Sequence, residues 1–350
     1  MSEKMKVVAI VDERRTEVKE VRKPVPKENE VLIHISACAL CTWEQRAYTR
    51  ESKMPLPFVG GHEIAGEIAA LGEKVDPNEF PIGKKVAARL INVCGKCYYC
   101  RNNQENLCVE MNNLDSSDME IPGTGGLGEF LNVKTSQVYL LPDDLPYEKA
   151  VFAEPLACVV NSIEQGAIAL GDDVVVIGAG IMGMLHVLCA KLKGARVIVS
   201  EPDEARRRLA LELGADIAFS PIEKNPVTFV KELTGGRGAE VVFNTTPIAA
   251  VAEQAVAMTG YLGRCVMYSS MHPDKPIGIS PNWLHKSEAI ITGAVSPTVR
   301  SFFRSVKLIE KGLINTEKLV SGVYGYAQAN EAFEAAVRPD TYRIIIRSDR

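Results

Sequence analysis

Along the chain the rhythm of apolar positions changes near Pro146. Before that point, short apolar runs such as Lys6–Val11, Val31–Ala37 and Lys85–Ile91 are cut by turn formers at Pro24–Pro26, Pro55–Pro57 and Pro81–Gly83. Short β-rich runs between Gly and Pro predict strands of a barrel- or sandwich-like domain. Beyond it, strands and helices alternate: Val174–Ile177, a helix from Ile181, Arg196–Ser200, a helix from Glu204, then Glu240–Phe243 and Gly263–Tyr268. Apolar strands alternating with helices predict a parallel sheet covered on both faces. A 3.6-residue apolar pattern from Phe302 to Leu313 reads as a packing helix, and Tyr342–Ile346 reads as a strand that could return to the first domain. The expected class is α/β: a β-rich domain over residues 1–148, a doubly wound parallel-sheet domain over 149–288, and a return to the first domain over 289–350.

Composition narrows the field without naming a function. The 350 residues are 46% apolar and 24% charged with a net charge of −4, which is not the balance of a nucleic-acid binder. The longest apolar stretch, Val174–Ala190, is broken by three glycines and His186 and is short for a membrane span. Nine cysteines, an odd number, and no recognisable export signal point to a reducing cytoplasm and against a disulfide framework.

Four of those cysteines fall within fifteen residues, as Cys94, Cys97, Cys100 and Cys108 in the spacing C-x2-C-x2-C-x7-C. Steps of two residues let thiolates converge on one tetrahedral ion, and four thiolates leave no open position for chemistry. The lobe at about 92–110 therefore reads as a structural zinc clamp. An iron–sulfur cluster also takes four thiolates but usually has Pro after the last cysteine, which is absent here.

Val174–Ile177 runs into Gly178-Ala-Gly180-Ile181-Met182-Gly183, a G-x-G-x-x-G with a buried strand before it and an apolar helix after it. In that context the glycines allow a tight turn and close approach of a pyrophosphate to the helix N-terminus. Glu201 ends the second strand, where a carboxylate accepts hydrogen bonds from ribose hydroxyls and repels a 2′-phosphate, so NAD is expected over NADP. Arg206, within Arg206–Arg208, is the basic group that could pair with such a phosphate; a solvated helix face is its plainer reading. Elsewhere, Cys41, the Gly61-His62-Glu63 triplet and Glu154-Pro155-Leu156 offer a thiolate, an imidazole and carboxylates. A mixed three-ligand set leaves zinc a free position for a substrate oxygen.

These motifs together resemble the zinc-dependent medium-chain dehydrogenase/reductase superfamily, nearest its sorbitol and threonine dehydrogenase branches. The likeness covers essentially the whole chain and includes Gly61-His62-Glu63, the four-cysteine lobe, Gly125–Phe130, Glu154-Pro155-Leu156 and Gly178–Gly183. It implies a GroES-like catalytic domain built from both ends of the sequence, with a Rossmann domain inserted and the active site in the cleft. It also implies two zinc ions per chain and an alcohol dehydrogenase activity on the CH–OH group of a small secondary alcohol, a polyol, sugar or cyclitol, with NAD as hydride acceptor. No nucleic-acid or membrane partner is implied, and the expected assembly is a homodimer or homotetramer. Cys41 and His62 would hold the catalytic zinc with Glu63 or Glu154. An amino-alcohol dehydrogenase of the threonine type, or a protein that kept the fold and lost catalysis, are the alternatives.

The chain departs from the family pattern beside Cys41. Trp43 stands where many relatives carry a relay hydroxyl, Glu44 replaces Asp, and Arg46 replaces a common histidine. Indole donates but cannot accept a proton, so proton release falls to Glu63 or Glu154, or to Thr42 by a local backbone shift. Trp43 would narrow the pocket and offer a flat face to a ring, or simply fill the core. Arg46 would meet an anionic group, or pair with Glu44.

Overall fold

The computed structural model describes residues 3–111 and 119–348. It divides into two compact units, Met1–Ala157 with Thr298–Arg350, and Cys158–Pro297.

In the first unit, β1 (Lys4–Asp12) and β2 (Arg15–Arg22) form an antiparallel pair. The main sheet holds β3 (Glu30–Ala39), β4 (Glu63–Leu71), β5 (Lys85–Ala88), β6 (Phe130–Lys134) and β7 (Val138–Leu140). Its order is completed by two late strands, β14 (Val320–Gly325) and β15 (Arg343–Arg347), giving β14-β15-β3-β4-β5-β7 with β6 also pairing β3. β3 is buried along nearly its whole length, which is why it reads as a continuous apolar run rather than an alternating one. The helix Val299–Glu310 starts on a Thr298 cap whose side chain accepts from the Ser301 N–H, and the chain turns at Gly312 with a φ of 63°. The anticipated strand Lys85–Ile91 stops at Ala88 because the Gln137 side chain, not a strand, takes the carbonyls of Arg89 and Ile91.

The second unit carries β8 (Asp173–Ile177), β9 (Arg196–Ser200), β10 (Ile217–Phe219), β11 (Ala239–Asn244), β12 (Thr259–Met267) and β13 (Ile290–Gly293). All pairs are parallel, in the order β10-β9-β8-β11-β12-β13. Counted within the unit this is 3-2-1-4-5-6, the doubly wound Rossmann order, whose switch point lies between β8 and β11. Every residue of β8 is buried, as a strand covered on both faces requires.

His186, inside the helix Ile181–Leu192, is fully buried against Phe243 and Tyr268. Its Nδ1 lies 2.8 Å from the Met182 carbonyl, which can only accept, so Nδ1 carries the hydrogen and Nε2 accepts from the Ser162 hydroxyl at 2.9 Å. Burial pushes this imidazole from 6.5 down to about 4, the Met182 carbonyl opposing weakly. The unfolded chain therefore binds the proton first, and the stabilisation is complete above pH 6.5 and lost as pH falls through about 4. The loss amounts to about 3 kcal/mol at roughly 1.4 kcal/mol per unit. Urea unfolding of the protein and of His186→Gln across this window checks it: the variant has a flatter dependence on pH, and identical slopes would rule the histidine out.

Candidate active site

The end of β3 delivers Cys41 to the start of the helix Thr42–Tyr48, and β4 begins at Glu63, just after His62. Gly61 makes the turn into β4 with a φ of 94°, and Leu127 N donates to the Gly60 carbonyl at 2.9 Å while Gly126 N donates to that of Gly61 at 3.1 Å. The Gly125–Phe130 motif thus serves as a brace behind the His62 loop. A Cβ on Gly61 would lie 2.7 Å from Cys38 Sγ and from the backbone at Gly126 and Leu127, so no other residue fits.

The result is that one thiol, one imidazole and one carboxylate, from Cys41, His62 and Glu63, place their ligand atoms within 4.8 Å of one another. Glu154, half-buried in the first turn of the helix Ala153–Gly166, is not in this group, but its charge acts on both Glu63 and Arg343. Glu44 is buried and accepts from His62 Nδ1 at 2.8 Å, which assigns the hydrogen to Nδ1 and leaves Nε2 for a cation. Its carboxylate also accepts from Gly61 N and Cys41 N, so Arg46 is not its partner. Arg46 instead lines an open cavity of about 850 Å³ with Thr42, Gln45 and Thr49. Trp43 packs against the core of its unit and stands edge-on to His62, ring centroids 5.8 Å apart.

The electrostatics favour a cation. Burial works against protonating His62, yet Glu44 and Cys41 outweigh it and hold the imidazole well above 6.5. Burial raises the Glu63 carboxyl, Arg343 pulls it back, and Glu154 adds to the rise, so the net direction is up. Arg343, 2% exposed, pairs with Glu63 and donates to the Leu40 carbonyl at 3.3 Å. The second Glu63 oxygen, Oε2, is buried with no hydrogen-bond partner. An orphaned carboxylate oxygen beside a thiol and an imidazole that already bonds that thiol suits a zinc ion, which would take the place of the shared proton and binds S and N at about 2.0–2.3 Å. Neither Arg343 nor the bonding of Glu44 was anticipated from the sequence. The only signal for Arg343 is an arginine opening the run Ile344-Ile345-Ile346, where a charge must be buried with its strand.

The four cysteines of the lobe also lie within 4.8 Å of one another, and none of the nine cysteines is in a disulfide. Backbone N–H groups of Cys94 and Cys97 point at the sulfurs of Cys108 and Cys94, each at 3.3 Å. Such donors favour thiolates, and Cys97 is drawn down to about 6, first by the backbone at Cys100 and Val109.

In the second unit, Gly178 turns the chain with a φ of 91°, and the helix opens at Gly180 with Ile181 and Met182 half-exposed. A Cβ on Gly183 would fall on the Gly178 carbonyl, whereas one on Gly180 would meet nothing nearer than Arg206 Nη1 at 3.8 Å. Gly183 is therefore required by the protein and Gly180 leaves a space, the room a pyrophosphate needs to approach the backbone. Glu201 closes the cradle: its Oε2 accepts from Ala179 N at 2.7 Å and its Oε1 from Asp203 N at 3.0 Å.

Comparison with known proteins agrees with this geometry. Residues 27–143 match the family model for the alcohol dehydrogenase GroES-like domain and residues 182–311 that for zinc-binding dehydrogenases. The chain is 32% identical to L-threonine 3-dehydrogenase of Pyrococcus furiosus, over 99% of each sequence. It is 28% identical to sorbitol dehydrogenase of Bacillus subtilis, over 94% of this chain and 93% of the other. The crystal structure of 2R,3R-butanediol dehydrogenase from Bacillus subtilis superposes with a TM-score of 0.86 at 25% identity, covering 98% of this chain and 99% of that one. With a GroES-like unit, a Rossmann unit and relatives of this likeness across its length, the chain belongs to the zinc-dependent medium-chain alcohol dehydrogenase family.

Proposed function

We propose that the protein oxidises a secondary alcohol of a polyol, sugar or cyclitol to the ketone, passing hydride to NAD. The observation that carries this reading is the Cys41–His62–Glu63 group with its orphaned carboxylate oxygen. A zinc ion held there, by Cys41, His62 and Glu63 or Glu154, would supply Lewis acidity toward the hydroxyl of the substrate. Glu44 keeps the His62 nitrogen available and Arg343 holds Glu63 in place, while Trp43, edge-on to the imidazole, would narrow the substrate side of the site. A second zinc in the four-cysteine lobe is structural. The buried Glu201 carboxylate supports NAD over NADP, because a 2′-phosphate beside it would be repelled. Arg206, whose guanidinium lies 3.8 Å from where a Cβ on Gly180 would sit, would be the nearest basic group to a phosphate on this loop, unless it simply belongs to a solvated helix face. We infer a homodimer or homotetramer, supported by β13 standing at the edge of its sheet. A cytoplasmic setting is supported by nine cysteines without a disulfide. Among the described residues no helix is long and apolar enough to cross a membrane.

The higher identity to a threonine dehydrogenase than to a sorbitol dehydrogenase favours one second reading, oxidation of an amino alcohol. Zinc-loaded protein, offered NAD or NADP with polyols, inositols, sugar acids and L-threonine, distinguishes the two. The expected result is reduction of NAD, and not NADP, by a polyol or cyclitol with two zinc ions bound per chain. Turnover of L-threonine alone would establish the second reading.

A further inference from the structure

We propose that Gly60 and Glu44 form one positioning device for Cys41 and His62: the missing side chain at position 60 is what seats the acid at 44. The inference rests on reading Cys41, His62 and Glu63 as a metal site, and reaches two residues with no ligand atom in that group.

Glu44 is fully buried, and a single carboxylate serves three donors. Oε1 accepts from His62 Nδ1 at 2.8 Å and from Gly61 N at 3.0 Å, and Oε2 accepts from Cys41 N at 3.1 Å. One acid thus fixes the ring of one ligand residue, the peptide leading into it, and the backbone of the other. Its middle must pass over Gly60. A Cβ at position 60 would lie 2.8 Å from Glu44 Cγ, 3.3 Å from Phe58 Cε1 and 3.6 Å from Glu44 Oε1. Gly60 is not among the residues with positive φ, so its backbone suits any amino acid and only space demands glycine.

Neither neighbour can yield harmlessly. Glu44 Cγ is tethered by the helix backbone at one end and by three hydrogen bonds at the other, so displacing it releases at least one of them. Phe58 is 1% exposed and stands edge-on to Trp43 at 5.4 Å, and Trp43 in turn stands edge-on to His62 at 5.8 Å. By either route one added methyl at position 60 is transmitted to the His62 imidazole. Partners that orient a metal-binding histidine typically govern metal affinity by about 10–100-fold.

The test is a double-mutant cycle of Gly60→Ala and Glu44→Ala with two readouts. The first, on metal-free protein labelled with 15N-histidine, follows the Nδ1–H resonance of His62, assigned by its loss in His62→Gln. The second measures the affinity of the mixed-ligand site for cobalt, from its visible absorption bands in competition with a chelator. Gly60→Ala is expected to shift or broaden the Nδ1–H resonance and to weaken cobalt binding about 10–100-fold. In the Glu44→Ala background, where only the 3.3 Å approach to Phe58 Cε1 remains, the same methyl is expected to change both far less. In the Glu44→Gln background, where the length is kept, the methyl again weakens cobalt binding. Equal effects of Gly60→Ala with and without Glu44, or no effect of Gly60→Ala on either readout, would overturn the coupling. If the unaltered protein binds metal only in the four-cysteine lobe, the metal reading fails, and the imidazole resonance alone decides the coupling.

Discussion

Replacing Arg343 with methionine lowers the stability of its unit by about 3–5 kcal/mol, the usual cost of leaving one charge of a buried pair alone. Glu63 is completely buried and Arg343 is 2% exposed, so no solvent can take over the role of the guanidinium. The surroundings make matters worse, because Glu154 and Glu44 already add negative charge around Glu63. Burial opposes the charge on Arg343, yet Glu63, then Cys41 and Glu154, reverse that and hold it firmly protonated. Thermal unfolding of the variant beside that of Glu63→Gln/Arg343→Met measures the effect. The double variant, which buries no unpaired charge, is expected to recover a large part of the loss. A single variant as stable as the parent would mean that Glu63 is neutral in the folded protein.

Gly180→Ala is expected to leave stability unchanged while weakening NAD binding by about 10–100-fold, the equivalent of an overpacking cost of about 1–3 kcal/mol. The nearest atom to the new methyl is Arg206 Nη1 at 3.8 Å, an ordinary contact at the tip of a flexible side chain. Within the protein the methyl therefore meets no obstacle, and only a ligand lying on the loop would collide with it. Gly183→Ala is the informative contrast, since its methyl falls on the Gly178 carbonyl and must disturb the fold itself. Calorimetric titration with NAD and a melting curve for each variant separate the two effects. Undiminished NAD affinity in Gly180→Ala would remove the loop from the cofactor site.

How much of this was legible in the sequence depended on whether a residue's role left a periodic trace. The central strands of the second unit announced themselves because both their faces are buried, and β8, β9, β11 and β12 lie where the apolar runs put them, within a few residues, whereas the shorter, partly exposed β10 and β13 were not anticipated. β2 left no trace: Arg15–Arg22 is mostly charged, with Val18 and Val21 three positions apart and not alternating, and its pairing with β1 holds it as a strand. The helix Ala153–Gly166 was masked by Pro155, which breaks a helix in its interior but is tolerated in the first turn. The ligand-type residues were legible by chemistry, as spaced Cys, His and Glu. What surrounds them was not. Glu44 stood out only as the replacement of an Asp and as a possible partner of Arg46, and the fold instead turns it inward onto His62. Arg343 meets Glu63 across 280 positions of sequence, a pairing that no local pattern can encode.

That long-range pairing also sets an order of events during synthesis. Unit one is interrupted by Cys158–Pro297, and β15 both pairs with β3 and contributes the guanidinium that neutralises Glu63. Until residue 343 is made, Glu63 has no guanidinium to pair with, and Ala37–Ala39 of β3, a strand that β4 and β6 already flank elsewhere, lack the partner that β15 supplies. A nascent chain stalled or clipped before β15 would expose an open strand edge, a form that chaperones and proteases recognise. Both the last sheet contact of β3 and the counter-charge for Glu63 thus come from the same late strand, about 280 positions after the acid it neutralises.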